Sequence, residues 1–217
     1  YETVEDSSGG LPLLKPMSQV AGVLAVQYGA EFLQKKYGSR GISLGAIDGT
    51  ERAEVVIVGA GTVGLTAART ALGMGANVTL LDISEQKIFS AKIFLNDEFP
   101  NQKNNLNVLV SNRDILMTAL KKADLLIGAV LVPGAVAPKV VTEEMVKSMK
   151  KGAVIVDVAI DQGGCVFGSR ATSHKEPIFR LHDKVYCCIP NMPSQAALQS
   201  TQALTNATFP YLLSMVD

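Results

Sequence analysis

The stretch VVIVGAGTVGLTAARTALGMGANVTLLD, residues 55–82, constrains this chain more than any other. A continuous apolar run, Val55–Val58, leads into Gly59-x-Gly61-x-x-Gly64. An alanine-rich segment, Thr62–Met74, follows; Gly75 stops it, and Asn77–Leu81 is apolar again. Short apolar runs read as strands buried on both faces, and the segment between them is long enough for a helix. Three glycines in a strand–turn–helix context carry a meaning that the bare motif lacks. Gly59 permits the tight turn. Gly61 lets backbone approach a diphosphate with which a Cβ would collide, and Gly64 lets helix and strand pack closely. The unpaired N–H groups where the helix opens, at Gly61, Thr62, Val63 and Gly64, then face the phosphates, with the positive end of the helix behind them. Asp82 ends the second strand 18 residues beyond Gly64. A carboxylate there accepts from the ribose hydroxyls of an adenosine and repels a 2′-phosphate. The expected ligand is a dinucleotide, NAD in preference to NADP. FAD uses the same loop, and the motif's position well inside the chain argues against it. The bland alternative is a structural turn with no ligand, beside an aspartate that caps a helix.

The remaining chain repeats the alternation. Helical spacing of Val20, Leu24, Tyr28 and Phe32 predicts a helix over roughly 18–37, with Ser18 as its cap and Gly38 as its stop. Further strands are expected at Leu106–Val110, Leu125–Val130, Ala153–Ala159 and Lys184–Ile189. Helices are expected from near Ser84, over Asp114–Lys122, after Thr142, and from about Ala196 to Met215, where Pro210 introduces a kink. Asn96–Asn105 (NDEFPNQKNN) reads as a surface loop. Six such strands alternating with helices imply an α/β fold with a doubly wound parallel sheet of the Rossmann type. The expected organisation is a single dinucleotide-binding domain over 1–217. Residues 1–50 would form a leading segment with a linker helix, 51–193 the core, and 194–217 a C-terminal helix.

Ligands of such sheets lie across the carboxyl ends of the strands, which directs attention to three loops. In GAVLVPGAVAPKVV, Val130 and Leu131 offer apolar walls, and Pro133, Gly134 and Pro138 stiffen the turn. In VDVAIDQGGC, Asp157 lies within the strand run and Asp161 at its end. Asp161 there is either a proton-handling or orienting group beside a nicotinamide, or the cap of a turn. In CCIPNMPS, Asn191 can donate to and accept from a carboxamide and Met192 can supply a soft apolar contact, unless both merely build a turn. His174 and His182 sit in a polar stretch with no carboxylate-and-nucleophile arrangement and read as surface residues.

Composition narrows the partners. Hydrophobic residues make up 47% and charged residues 18%, and 20 basic side chains balance 20 acidic ones. A net charge of zero gives no reason to expect nucleic acid or an anionic membrane. A mean hydropathy of +0.23 points to apolar surface covered by another subunit or domain. The three cysteines, Cys165, Cys187 and Cys188, show no zinc spacing and read as buried reduced thiols. A cytoplasmic location follows, with targeting left open because the chain does not begin with methionine.

Taken together, PLLKPMSQVAG, VGAGTVG, IGAVLVPGAVAPK, VDVAIDQGGC and TNATFPYLL resemble the alanine dehydrogenases, over about Leu11 to Leu213. These NAD-dependent enzymes interconvert L-alanine with pyruvate and ammonium. Proton-translocating transhydrogenases and saccharopine dehydrogenases are related groups, and AIDQGGC resembles alanine dehydrogenase more closely than either. The resemblance implies a serine near the cofactor phosphates at Ser18, the ribose aspartate at Asp82, a basic position near the adenosine at Lys87 and an adenosine-side serine at Ser111. It implies cofactor walls at Val130 and Leu131, and groups beside nicotinamide and substrate at Asp161, Asn191 and Met192, with Asp161 implicated in catalysis. It also implies a homo-oligomer, a hexamer, and a substrate domain that supplies a lysine, an arginine and a histidine which residues 1–17 do not replace. The chain departs from the family pattern at NMPSQAALQST, where a proline and a charge are missing. The expectation is therefore an NAD-binding domain that holds the cofactor and turns over alanine negligibly alone. The alternatives are the nucleotide-binding domain of a transhydrogenase and a non-catalytic NAD-binding module.

Overall fold

The computed structural model describes residues 2–7, 9–132 and 136–215. Pro133 and Gly134 lie outside the described residues. The first helix, α1, spans Lys15–Phe32, and β1 (Glu54–Val58), α2 (Thr62–Gly73), β2 (Asn77–Asp82), α3 (Glu85–Glu98) and β3 (Leu106–Val110) follow. The chain then crosses back through α4 (Arg113–Lys122) to β4 (Leu125–Gly128), α5 (Glu143–Ser148) and β5 (Val154–Asp157). It ends with β6 (Ile178–Leu181), β7 (Lys184–Cys187) and α6 (Ala197–Leu213). The sheet has seven strands in the order β3-β2-β1-β4-β5-β7-β6, all parallel except β6, which runs antiparallel to β7. This is the doubly wound α/β arrangement, and the order reverses between β1 and β4.

Alternate residues of each strand feed two cores. Val55, Ile57, Val78, Leu80, Leu125 and Ile127 pack under α1, α2 and α3. Val56, Val58, Leu81, Leu126 and Ile155 pack under α4 and α5. Each such side chain contributes about 1.5–3 kcal/mol by leaving water, so strand runs apolar on both faces are what a twice-covered sheet requires.

Five expectations need correction. The first helix ends at Phe32, not at Gly38, which instead closes a separate 3₁₀ turn, Lys35–Tyr37, in a left-handed conformation (φ 73°). Ser18 is no cap: α1 begins at Lys15 after Leu14, and the Ser18 N–H already donates to the Leu14 carbonyl at 3.0 Å. Pro16 suits the first turn because the N–H it lacks would have had no helical partner. Asn96–Asn105 is not an open loop. The helix α3 continues to Glu98, and Pro100–Asn105 forms a 3₁₀ turn, with Phe99 packed against the core. The fourth and fifth strands are shorter than expected. The chain leaves the sheet at Gly128 and at Asp157, where Val158–Gln162 winds into a 3₁₀ turn capped by the Asp157 carboxylate. Lastly, Ile178–Leu181 is a strand. It is an edge strand with no fully buried position, joined to β7 through His182 and Asp183, both at positive φ (49° and 60°). That conformation fits a two-residue hairpin.

Candidate functional site

Four helices link one parallel strand to the next, from β1 through to β5, and three of them carry a side-chain cap. The Ser84 hydroxyl accepts from the Lys87 N–H, the Asn112 side chain from the Ile115 N–H, and the Thr142 hydroxyl from the Met145 N–H. The fourth, α2, opens at Gly61, which has no side chain to cap with. Its first N–H groups are thus left to another acceptor, at the point where the strand order reverses.

Each glycine of the loop answers to a different neighbour. Gly59 has φ +107°, and a Cβ there would run into the Ala129 carbonyl. A Cβ on Gly64 would run into the carbonyl of Gly59. At Gly61 a Cβ would meet nothing within 4 Å. No neighbouring protein atom demands glycine at 61, whereas a diphosphate lying against the loop would.

Asp82 does more than the sequence disclosed. One carboxylate oxygen accepts the Ala60 N–H at 2.7 Å, and the other accepts the Ser84 N–H at 2.9 Å. It therefore pins the glycine loop. A carboxylate offers about four acceptor directions, so two remain for ribose hydroxyls. Ile83, next in the chain and 84% exposed, stands beside it as an apolar face that sequence reasoning missed. Its only sequence signal is an isoleucine wedged between a strand end and a capping serine. Lys87 is exposed in the first turn of α3, and Ser111 directly follows β3, its N–H bonded to the Asp82 carbonyl at 2.8 Å.

Ser18 reaches this edge through helix packing. Gly22 seats α1 against the first turn of α2, where a Cβ would lie 2.6 Å from the Val63 carbonyl, and Gly29 seats it against Leu125, where β4 begins. The helix thus runs from the carboxyl edge toward the amino edge. Ser18, one turn ahead of Gly22 on the same face, lies on the glycine-loop side.

The loops after β4, β5 and β7 complete the edge. Leu131, Val132 and Val136 are exposed at 47%, 36% and 79%, and Val130 is half-buried. Asp161 is on the outer side of the 3₁₀ turn after β5. Although its surface is largely open, neighbours shield the carboxyl enough that desolvation raises its pKa. The Asn191 backbone N–H facing it offsets part of that, and Glu2 adds repulsion. Asp161 and Asn191 are thus brought together, Asn191 in a left-handed conformation (φ 49°). Met192 points inward; at 2% exposure it supports the loop from beneath.

Asp157 is fully buried and serves as an anchor. Its carboxylate accepts from the N–H groups of Ala159 (3.2 Å) and Val166 (3.0 Å) and from the Ser169 hydroxyl (2.6 Å), with the Cys165 thiol 3.5 Å away. Burial beside this carboxylate pushes the Cys165 thiol well up. All three cysteines are buried and unpaired by disulfides. Gln162 Oε1 is shielded from water without a hydrogen-bond partner among the described residues.

His182 lies far from this edge in role. It is half-buried, stacks on Phe167 and meets Glu143 at 2.9 Å; His174 is exposed. Lys147 and then His182 hold the Glu143 carboxyl below its ordinary value. A groove of about 490 Å³ between α4 and the strands β1, β2 and β3 is lined by Asn77, Thr79, Asn107, Asp114 and Thr118 among others. None of the expected site residues lines it. Among the described residues no group of His, Cys, Asp and Glu could hold a metal ion, and no helix is long and apolar enough to cross a membrane.

This geometry can be set against known proteins. The model of the alanine dehydrogenase/PNT C-terminal domain matches residues 25–217. The chain belongs to that family. It is 51% identical over its full length to an alanine dehydrogenase of Mycobacterium tuberculosis, of which it spans 57%. A solved L-alanine dehydrogenase superposes on all of it with a TM-score of 0.90 and 45% identity, again over 58% of that protein. A transhydrogenase from Sinorhizobium meliloti shares the fold, with a TM-score of 0.78 and 24% identity over 94% of this chain and 56% of that one. The family's C-terminal domain thus coincides with the sheet, the glycine loop and the flanking loops described above, and the chain spans little more than half the length of these relatives.

Proposed function

We propose that this chain is the NAD-binding part of an alanine dehydrogenase, an enzyme that reversibly deaminates L-alanine to pyruvate and ammonium. The observation that carries the reading is the pairing of an uncapped helix start at Gly61 with a carboxylate, Asp82, held at hydrogen-bonding distance from the same loop. The residues fit a dinucleotide: the empty space at the Gly61 Cβ position and the free acceptor directions on Asp82 are what its diphosphate and ribose need. Asp82 favours NAD, since a 2′-phosphate would bring a second negative charge against its carboxylate.

In this reading the glycine loop and the first N–H groups of α2 hold the diphosphate, with Ser18 beside them. Asp82, Lys87 and Ser111 surround the adenosine, and Val130 and Leu131 form a wall. Asp161 and Asn191 stand at the nicotinamide end, with Met192 supporting their loop from beneath, and Asp161 holds or moves a proton at its carboxyl oxygen. When bound, the nicotinamide supplies the hydride acceptor; orientation and exclusion of water fall to the protein. Residues 1–217 form one domain, with a leading segment over 1–50, the core over 51–193 and the last helix over 194–217. The whole enzyme is a cytoplasmic homo-oligomer, a hexamer as in the family. Exposed Phe209, Leu212 and Leu213 on α6 support a further covered surface there.

Calorimetry of the chain with NAD and with NADP tests the assignment. NAD is expected to bind at least about tenfold more tightly, and Asp82→Ala is expected to weaken NAD and narrow that gap. Equal affinity of the unaltered chain for both, or for neither, would overturn it.

A further inference from the structure

Two loops of the carboxyl edge are fastened to each other by a residue that no expectation singled out. Lys139 follows the β4 loop, and its Nζ donates to the Gly163 carbonyl at 2.6 Å. Next to it the Ala137 N–H donates to the Gln162 carbonyl at 2.9 Å. A Cβ on Gly163 would touch Val136 at 3.4 Å, so the two loops also lie close together there. Both bonded carbonyls belong to the short segment that carries Asp161.

The ammonium has a second relationship. Gly164, at φ +77°, is crowded from both sides: a Cβ there would lie 2.7 Å from Asp157 Oδ2 and 3.3 Å from Lys139 Nζ. Lys139 and the buried Asp157 thus flank one glycine, and the absence of a side chain lets the opposite charges approach. Asp157 already ties the two ends of the segment together, at Ala159 and at Val166 and Ser169. Its bonded donors there are all neutral, and Lys139 stands across Gly164 from it as a nearby positive charge without forming an ion pair.

We propose that Lys139 is a positioning residue for the nicotinamide end of the dinucleotide site. Its ammonium clamps the loop after β4 onto the loop after β5 and faces Asp157, and it thereby sets where Asp161 stands. The clamp rests on the dinucleotide reading above and adds that the two halves of the ligand depend on different parts of the chain. The ADP-ribose half depends on the glycine loop and Asp82, which Lys139 does not touch. The nicotinamide half depends on the clamped loops.

The experiment compares Lys139→Met and Lys139→Arg with the unaltered chain. Binding of NADH and of ADP-ribose is measured, together with amide exchange at Ala137 and Val166. Lys139→Met is expected to weaken NADH about tenfold, the scale of one charged hydrogen bond, and to leave ADP-ribose within about twofold. Exchange at Ala137 and Val166 is expected to accelerate even without ligand, and Lys139→Arg to restore most of both. Equal losses for the two ligands, or unchanged NADH affinity, would overturn the clamp. If the unaltered chain binds neither ligand, the dinucleotide reading fails with its positioning role, whereas unchanged exchange in Lys139→Met refutes the clamp while leaving that reading intact.

Discussion

Each edge of the sheet holds one buried aspartate, and the two are held in opposite ways. Asp124, 3% exposed, lies just before β4 at the amino edge. It accepts the Glu54 N–H at 2.9 Å and is paired with Arg40 at 2.7 Å and Lys150 at 2.9 Å. Asp157, 0% exposed, ends β5 at the carboxyl edge and receives two N–H groups and a hydroxyl, with a thiol close by. Two cations close the amino edge, staking the leading segment and the α5–β5 connection to the sheet. Neutral donors organise the carboxyl edge, shaping a loop whose outer side remains open. Ion pairs finish a structural seam, and backbone hydrogen bonds shape a surface on which something else can bind.

The contrast predicts an order of stability that a count of salt bridges would invert. Arg40 and Lys150 keep side-chain exposures of 34% and 30%, so on loss of Asp124 both can turn to water. The buried Val166 N–H cannot, because the loop backbone fixes it, and the donors of Ala159 and Ser169 are half-buried beside it. Asp157→Ala is expected to cost roughly 4 kcal/mol and Asp124→Ala about 2 kcal/mol, since each buried donor left without an acceptor costs about 1–3 kcal/mol. Urea midpoints at unchanged m-value measure both. An equal or larger loss at Asp124 would break the comparison.

The two edges also differed in how much the sequence revealed. The conformation of the glycine loop and the place of Asp82 were legible because they follow from local chain geometry: a strand, a tight turn and a helix start within one short stretch. The Asp157 anchor was half legible. A carboxylate inside an apolar strand run announces itself, but its donors at Val166 and Ser169 arrive by a loop that no spacing describes. Lys139 was hidden for the same reason, its acceptor at Gly163 lying 24 residues away. Ser18 was misread as a cap because a serine after a proline imitates one, and the i→i−4 bond of its own N–H was the deciding fact. The β6–β7 hairpin was missed because His182-Asp183 is not a glycine or asparagine turn, although both adopt the left-handed backbone such a turn needs.

Within the carboxyl edge the glycines sharpen the comparison between protein-facing and ligand-facing positions. Gly64→Ala would drive a Cβ into the Gly59 carbonyl, backbone against backbone, where nothing flexible can yield. Its expected cost is roughly 3 kcal/mol, with loss of dinucleotide binding as a by-product. Gly61→Ala meets open space and is expected to leave the melting temperature within about one degree. Its NADH affinity is nevertheless expected to fall about tenfold or more, because in the proposed site the added methyl would occupy the diphosphate's place. A Gly61→Ala chain that melts early, or that binds NADH normally, would erase the distinction.

The smallest effect concerns charge on the open side. Desolvation raises the Asp161 carboxyl above its ordinary value of 3.8, despite the opposing Asn191 N–H. A carboxyl whose folded value lies above its unfolded one favours the folded state while protonated. That contribution is complete below the unfolded value and disappears as pH rises through the folded one. At neutral pH the charge therefore works against folding, and Asp161→Asn is expected to raise the melting temperature by about 1–2 °C at pH 7. The gain should shrink as the pH falls toward 4 and vanish below it, where both chains carry a neutral group. Asp124→Asn, at the other edge, should lower the melting temperature at pH 7, since it takes a charge from two cations. Opposite signs for the two aspartate-to-asparagine changes are what a binding edge and a structural edge require. A destabilising Asp161→Asn at pH 7 would place Asp161 among the residues that hold the fold rather than among those that face a ligand.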